Sequence, residues 1–198
     1  MNVTMEKNNE TVIVKEKKKV RIDTYDNSWY HPGPKWKIYL WYFVSTLFFK
    51  NHFFPFIGIK VFILRLFGAK VGKRLYIKPG VNIRYAWKLD IGDYVLIGEN
   101  VWIDNVEMVT LKDHSTVSHD AMILAGYHSY KTTTFDLILK PVIIEEGAWI
   151  CSRAIVCPGL VCKSHCVLTA GSVAHKDLEP YTIYSGHPAV AIRERVIE

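Results

Sequence analysis

Several features are missing from this 198-residue chain. None of its four cysteines (Cys151, Cys157, Cys162, Cys166) stands in a Cys-x-x-Cys pair, which argues against a zinc ribbon or a thioredoxin-like redox site. They read instead as small, buried, reduced residues. No apolar run reaches the roughly 20 residues needed to span a bilayer as a helix; the run at 38–49 stops after 12. The first 35 residues are polar and charged, with no pattern of a cleavable leader, so a cytoplasmic location is expected. A basic body is missing too. The net charge is +6, yet residues 1–74 carry 14 Lys/Arg against 5 Asp/Glu and the remainder 11 against 14. A nucleic-acid-binding domain needs its basic stripe on the folded body, so no nucleic-acid partner is expected.

What is present divides into four stretches. Residues 1–34 read as a mobile basic arm with a charge block from Lys15 to Arg21 and a breaker cluster at His31-Pro32-Gly33-Pro34. The sequons at Asn2 and Asn9 mean little in a cytoplasmic chain. Residues 35–70 are an aromatic-rich helical segment. Within it, residues 35–67 read first as a helical pair packing on the body or on a neighbouring subunit, and alternatively as an interfacial segment with Lys35, Lys37, Lys50, Lys60 and Arg65 toward lipid headgroups at the inner face of a membrane. Residues 71–175 are the repeat domain, and 176–198 a C-terminal extension forming a short tail or helix.

The repeat is six residues long. Hexads open at Val71, Ile77, Ile83, Ile91, Ile97, Ile103, Leu111, Val117, Ile123, Ile144, Ile150, Val156, Cys162, Leu168 and Ala174. Thirteen of these 15 positions are Ile, Leu or Val, where the overall content of 54 would give about four by chance. Such a unit makes one short strand and one corner, three units close a coil, and coils stack into a prism. The fifth hexad position (Val95, Val101, Ser115, Ala121, Ala148, Ala154, Ser172) is mostly small. The predicted fold class is therefore mainly β, a parallel β-helix. Two-residue slips at 87–90 and 107–110 read as bulges at corners. Residues 129–141 interrupt the repeat as a long loop, a length that usually signals function or disorder. His128 ends the hexad before this loop, which puts an imidazole at a prism edge, where it could serve as a general base or simply hydrogen-bond locally.

The ordered motifs Leu66-Phe67-Gly68-Ala69-Lys70-Val71-Gly72, Trp102-Ile103-Asp104-Asn105, Gly126-Tyr127-His128-Ser129-Tyr130, Gly147-Ala148-Trp149-Ile150, Ala170-Gly171-Ser172-Val173 and Gly186-His187-Pro188-Ala189 resemble the hexapeptide-repeat acyltransferases. The nearest branch is that of the exopolysaccharide (colanic-acid-type) acetyltransferases. The resemblance covers residues 35–195. It implies a left-handed β-helix and a homotrimer binding acetyl-CoA between neighbouring prisms. It also implies O-acetyl transfer to a sugar or saccharide precursor of surface polysaccharide, without a metal. It casts His128 as general base, Asn105 and Asp104 as acceptor-binding residues, and Trp149, Ser152, Ala170, Lys176 and Arg193 as CoA contacts. The chain departs from the family pattern at Cys157, Lys163 and His175.

Two rivals remain. A non-catalytic scaffold would keep the prism and bind no CoA. A zinc carbonic-anhydrase-like site would use His114 and His119, which have the right His-x-x-x-x-His spacing, but its third histidine, expected near Lys78, is missing.

Overall fold

An aliphatic residue every sixth position stays buried only if the chain turns by a third of a circle per hexad. The computed structural model has this geometry; it describes residues 17–198 and the strands Thr4–Lys7 and Glu10–Ile13. Asn2, Asn9, Lys15 and Glu16 lie outside the described residues. Three parallel faces make the prism. Face A stacks Lys70–Val71, Leu89–Ile91, Val109–Leu111, Val142–Ile144 and Val161–Cys162. Face B stacks Tyr76–Ile77, Leu96–Ile97, Thr116–Val117, Trp149–Ile150, Val167–Leu168 and Thr182–Gly186. Face C stacks Asn82–Ile83, Trp102–Asp104, Met122–Leu124, Ile155–Val156 and Val173–Ala174.

Register ties the repeat to the core. Ile77 pairs with Ile97, Ile97 with Val117, Val117 with Ile150 and Ile150 with Leu168. Face C runs Ile83, Ile103, Ile123, Val156, Ala174 in the same way. Of the 15 hexad-opening residues 14 are buried; Val71, in the first coil, is half-buried. The fifth positions are small because they too lie inside: Val95, Val101, Ser115, Ala121, Ala148 and Ala154 are fully buried.

The corners also repeat. The fourth hexad residue is left-handed at Arg74, Gly80, Tyr94, Asn100, His114, Asp120, Gly147, Arg153, Gly159, His165 and Gly171. For a non-glycine residue this conformation costs about 1–2 kcal/mol. Corner-to-corner hydrogen bonds offset it, the fourth-residue N–H donating to the third-residue carbonyl of the preceding coil, as from Tyr94 to Lys73 (2.8 Å), His114 to Asp93 (2.9 Å) and His165 to Glu146 (2.8 Å). Only the hexads opening at Ile83, Ile103, Ile123 and Ala174 lack a left-handed fourth residue. All four of these belong to face C. There the slips become a 3-10 turn at Ala86–Lys88 and a tight turn closed by Val106 N–H on the Asp104 carbonyl (2.9 Å).

Two helices, α1 (Lys35–Phe48) and α2 (Ile57–Leu66), precede the first coil. Pro34 starts α1, its missing N–H being no loss at a helix start. Within the prism, the carbonyl of a hexad-opening residue accepts from the coil before it: Arg84 N–H reaches Ile103 and Gly72 N–H reaches Ile91. The first coil has no coil before it. The helical region supplies the donors instead: buried Trp41 Nε1 bonds the Ile83 carbonyl (3.0 Å), and Arg65 bonds the Val71 carbonyl (2.7 Å). Lys60, fully buried, donates to the Lys78 carbonyl (3.1 Å), and burial lowers its pKa. At the other end, the expected tail or helix is a β-hairpin, Thr182–Gly186 with Ala189–Glu194, whose first strand continues face B in parallel. A helix would have left the edge of the last coil unpaired. The cysteines are free; Cys162 and Cys166 are buried, Cys151 and Cys157 half-buried.

The chain divides into two compact units, residues 1–29 with 128–137, and residues 30–127 with 138–198. In the first, part of the basic arm is tied to the long loop: Arg21 N–H donates to the Thr133 carbonyl (2.7 Å). The loop itself is the turn of a hairpin formed by Gly126–His128 and Leu137–Leu139.

Candidate active site

Where the repeat breaks after face C, Asp104 and Asn105 sit side by side with different fates. Asn105 is fully buried. Its Oδ1 accepts from Arg84 N–H (3.0 Å) and Tyr85 N–H (3.1 Å), while its Nδ2 donates to the Tyr85 (2.6 Å) and Lys88 (2.9 Å) carbonyls. The amide thus ties the second coil to the irregular corner of the first, and its hydrogen-bonding capacity is taken up inside the chain. Asp104 is half-buried, and its Oδ1 has no hydrogen-bond partner. The Arg84 guanidinium stays 3.8 Å away. Burial raises the Asp104 pKa, and Arg84 partly opposes it. Beside them, the Val106 carbonyl accepts from Tyr30 (2.6 Å) and Lys88 (2.6 Å). Burial pushes the Tyr30 phenol pKa well above its ordinary value.

In the smaller unit, His128 is half-buried, with Nδ1 3.0 Å from the Phe135 carbonyl. A carbonyl can only accept, so Nδ1 carries the proton, and the neutral ring keeps its lone pair on Nε2. The ring stacks on Phe135 (4.3 Å between centroids, 4° between planes) and meets Tyr25 edge-on at 5.4 Å. Phe135, itself left-handed (φ 54°), thus fixes both the tautomer and the plane of the imidazole. No repeat or motif pointed to Phe135 or Tyr25; their roles come from the hairpin register and the fold of the arm.

The expected CoA contacts lie on the larger unit but do not gather at one point of the single chain. Ser152 and Ala170 are third residues of hexads one coil apart at the same corner, after face B, where Gly171 N–H donates to the Ser152 carbonyl (3.0 Å). Trp149 leads into that corner; it is 43% exposed and its Nε1 donates to Ser118 Oγ (2.9 Å). Lys176 is exposed at the corner after face C, beside a cavity lined also by His175, Asp177, Tyr184 and Ala189. Arg193 is exposed on the C-terminal hairpin, opposite Ile183. Among the described residues neither cation has an ion-pair partner. Sequence reasoning passed over Arg195, which donates to the Gly147 (3.0 Å) and His165 (3.1 Å) carbonyls.

His114 and His119 do corner work. His114 stacks on Tyr94 at 5.1 Å, and His119 Nδ1 accepts the Glu99 N–H (3.0 Å). Among the described residues, no group of three or more His, Cys, Asp or Glu is placed to hold a metal ion.

Comparison with known proteins decides the family. The chain is 35% identical over 160 residues, 81% of its length and 88% of the relative's, to WcaF of Escherichia coli K12, a protein assigned to the colanic acid biosynthesis acetyltransferases. It belongs to the hexapeptide-repeat acetyltransferases. No family model matches the chain. Among solved structures, a hexapeptide-repeat acetyltransferase from Vibrio cholerae in complex with acetyl-CoA superposes with a TM-score of 0.66 at 25% identity, covering 71% of this chain and 78% of that one. A galactoside acetyltransferase in complex with coenzyme A shares the fold, with a TM-score of 0.70, 23% identity and 80% of each chain covered. The chain is thus an acetyltransferase, and the scaffold reading falls away.

Proposed function

We propose that the enzyme moves an acetyl group from acetyl-CoA to a hydroxyl of a saccharide destined for surface polysaccharide, with His128 as general base. The observation that carries this reading is the tautomer of His128: the Phe135 carbonyl holds the proton on Nδ1 and leaves Nε2 as the basic atom. A free hydroxyl is a weak nucleophile at neutral pH, so its proton must leave as the new bond forms. Nε2 takes that proton, and the oxygen attacks the thioester carbonyl carbon. The tetrahedral intermediate collapses by breaking the C–S bond, and the departing CoA thiolate takes the proton back from the imidazolium. No covalent acyl-enzyme is needed.

The similarity to the assigned colanic acid acetyltransferase supports the polysaccharide acceptor, and the acetyl-CoA complex of the Vibrio protein supports the donor. Asp104, whose Oδ1 has no hydrogen-bond partner, is the better group to receive the acceptor hydroxyl, Asn105 being committed to the corner. Lys176 and Arg193 would meet CoA phosphates, and Trp149, Ser152 and Ala170 the rest of the cofactor. Their spread over two corners and the hairpin supports a groove completed by a neighbouring prism in a homotrimer.

The test is His128→Ala in the full chain, assayed for thiol release with saccharide acceptors and for CoA affinity by calorimetry. Loss of a base removes about 10²–10⁴-fold of rate, with CoA affinity changed by less than threefold. Turnover within tenfold of the parent would defeat the assignment.

A further inference from the structure

The first coil is covered by helices that are apolar on both sides. Inward, Trp41, Phe49, Ile63 and Leu64 are buried in the core. Outward, α1 exposes Trp36 (67%), Tyr39, Leu40, Phe43 (62%) and Leu47, spaced to fall on one helical stripe. On α2, Ile59, Phe62 (65%) and Leu66 make a second stripe. The two stripes meet, since Trp36 and Leu40 of α1 and Leu66 of α2 line one shallow groove. Soluble monomers rarely leave a contiguous aromatic patch of this kind uncovered.

The charge around the patch is of one sign. No Asp or Glu occurs between Asp26 and Asp90, a stretch holding 11 Lys and Arg. Lys35 and Arg65 are exposed within the helical pair, half-buried Lys37 lines the groove, and half-buried Lys50 lies over the Tyr42 ring. A like patch on a second copy would bring these cations together without an acid to neutralise them. An anionic lipid surface neutralises them and takes the Trp, Tyr and Phe side chains at the headgroup level that suits them. Among the described residues no helix is long and apolar enough to cross a membrane, so the helices would lie on the surface.

We infer that α1 and α2 dock the enzyme on an anionic lipid surface through the stripes around Trp36, Phe43 and Phe62. This rests on the exposed apolar stripes and their acid-free surroundings, and it holds whatever the acceptor of the acetyl group.

The full-length protein would be sedimented with vesicles of phosphatidylcholine alone and of phosphatidylcholine with phosphatidylglycerol. Binding to the anionic vesicles at least tenfold tighter is expected, together with a blue shift of tryptophan emission and weakening when NaCl is raised from 0.1 to 0.5 M. The variant Trp36→Ser/Phe43→Ser/Phe62→Ser changes only exposed positions and should lose at least tenfold in vesicle affinity while keeping its melting temperature and CoA affinity. Equal affinity for the two vesicle types, or none for either, would overturn the inference without touching the acetyltransferase reading. So would a triple variant that changes the oligomeric mass in light scattering, because a second copy would then be the occupant. The salt and lipid dependence of the unmodified protein decides the matter even if the triple variant fails to fold.

Discussion

Asp104 and Asn105 differ by one heavy atom and one position, yet the fold uses them in opposite ways. Asn105 has two donors and two acceptor bonds to give, and all are spent on the backbone of residues 84–88. Truncating it to alanine strands those groups in a buried corner, so Asn105→Ala should destabilise the protein by about 3 kcal/mol, measured by urea unfolding. Asp104 is the reverse case. Its carboxylate is partly desolvated, which raises its pKa, with Arg84 partly opposing the shift. The fold therefore favours the protonated form. The native state binds more protons than the unfolded state between the ordinary and the raised value, so stability from this group falls as pH rises through that window. Asp104→Asn should remove that slope and leave stability at pH 7 equal or higher, while saccharide acetylation drops at least tenfold with CoA affinity unchanged. A loss of stability at pH 7 would show that the carboxylate is structural. The sequence could propose the pair but could not divide it. Which of two adjacent polar residues faces the corner is set by the two-residue slip after Ile103, and a slip carries no inward or outward label.

At the scale of the element, the hexad was legible because burial enforces it at every turn of the chain. All 15 opening positions fall on the inner columns, and the small fifth positions fall inside with them. The left-handed fourth residue was not legible. Eight of its 11 occupants are Gly, Asn, Asp or His, which favour the conformation, but Arg74, Tyr94 and Arg153 fill it too, and inter-coil hydrogen bonds hold Tyr94 and Arg153 there. Three second positions, Gly72, Gly92 and Gly98, are more demanding. A Cβ on Gly98 would stand 2.6 Å from the backbone nitrogen of His119 and 2.8 Å from the Ser118 carbonyl carbon. Those atoms are held in the next coil and cannot give way. Gly98→Ala should therefore cost about 1–3 kcal/mol as an overpacking change, whereas Gly171→Ala meets nothing within 4 Å and is penalised only by its φ of +70°. A Gly98→Ala variant that keeps the parental melting temperature would contradict this account of coil spacing. The helical pair was visible as aromatic text, but its service to the prism was not. Trp41 Nε1 and Arg65 take the place of a missing coil by donating to the Ile83 and Val71 carbonyls, and such pairings depend on where the helices land. Trp41→Phe keeps most of the packing and loses the donor, so a destabilisation of about 1–3 kcal/mol is expected from the stranded carbonyl.

At the scale of the whole molecule, the candidate CoA contacts pose a problem of geometry. Ser152 and Ala170 share the corner after face B, while Lys176 belongs to the corner after face C. If a groove forms between neighbouring prisms, one prism can offer the first corner and its neighbour the second. Cyclic symmetry then repeats the arrangement around the ring, so every groove is heterologous. This has a consequence that a single-chain site lacks. Ser152→Trp would block one wall and Lys176→Glu would repel the phosphates from the other, and each variant alone should bind CoA at least thirtyfold more weakly. In trimers assembled randomly from equal amounts of the two variants, a groove is intact when its Ser152 wall comes from a Lys176→Glu chain and its Lys176 wall from a Ser152→Trp chain. Each condition holds half the time, so about one quarter of grooves recover parental affinity. Every doubly tagged trimer holds both variants and so has one intact groove in three; co-expression with two different affinity tags, followed by calorimetric titration of that species, measures this third. If both walls belonged to one chain, every chain would carry one defect and no groove would recover. A titration without a parental-affinity component would thus place the whole CoA site on a single prism and remove the reason to invoke a neighbour.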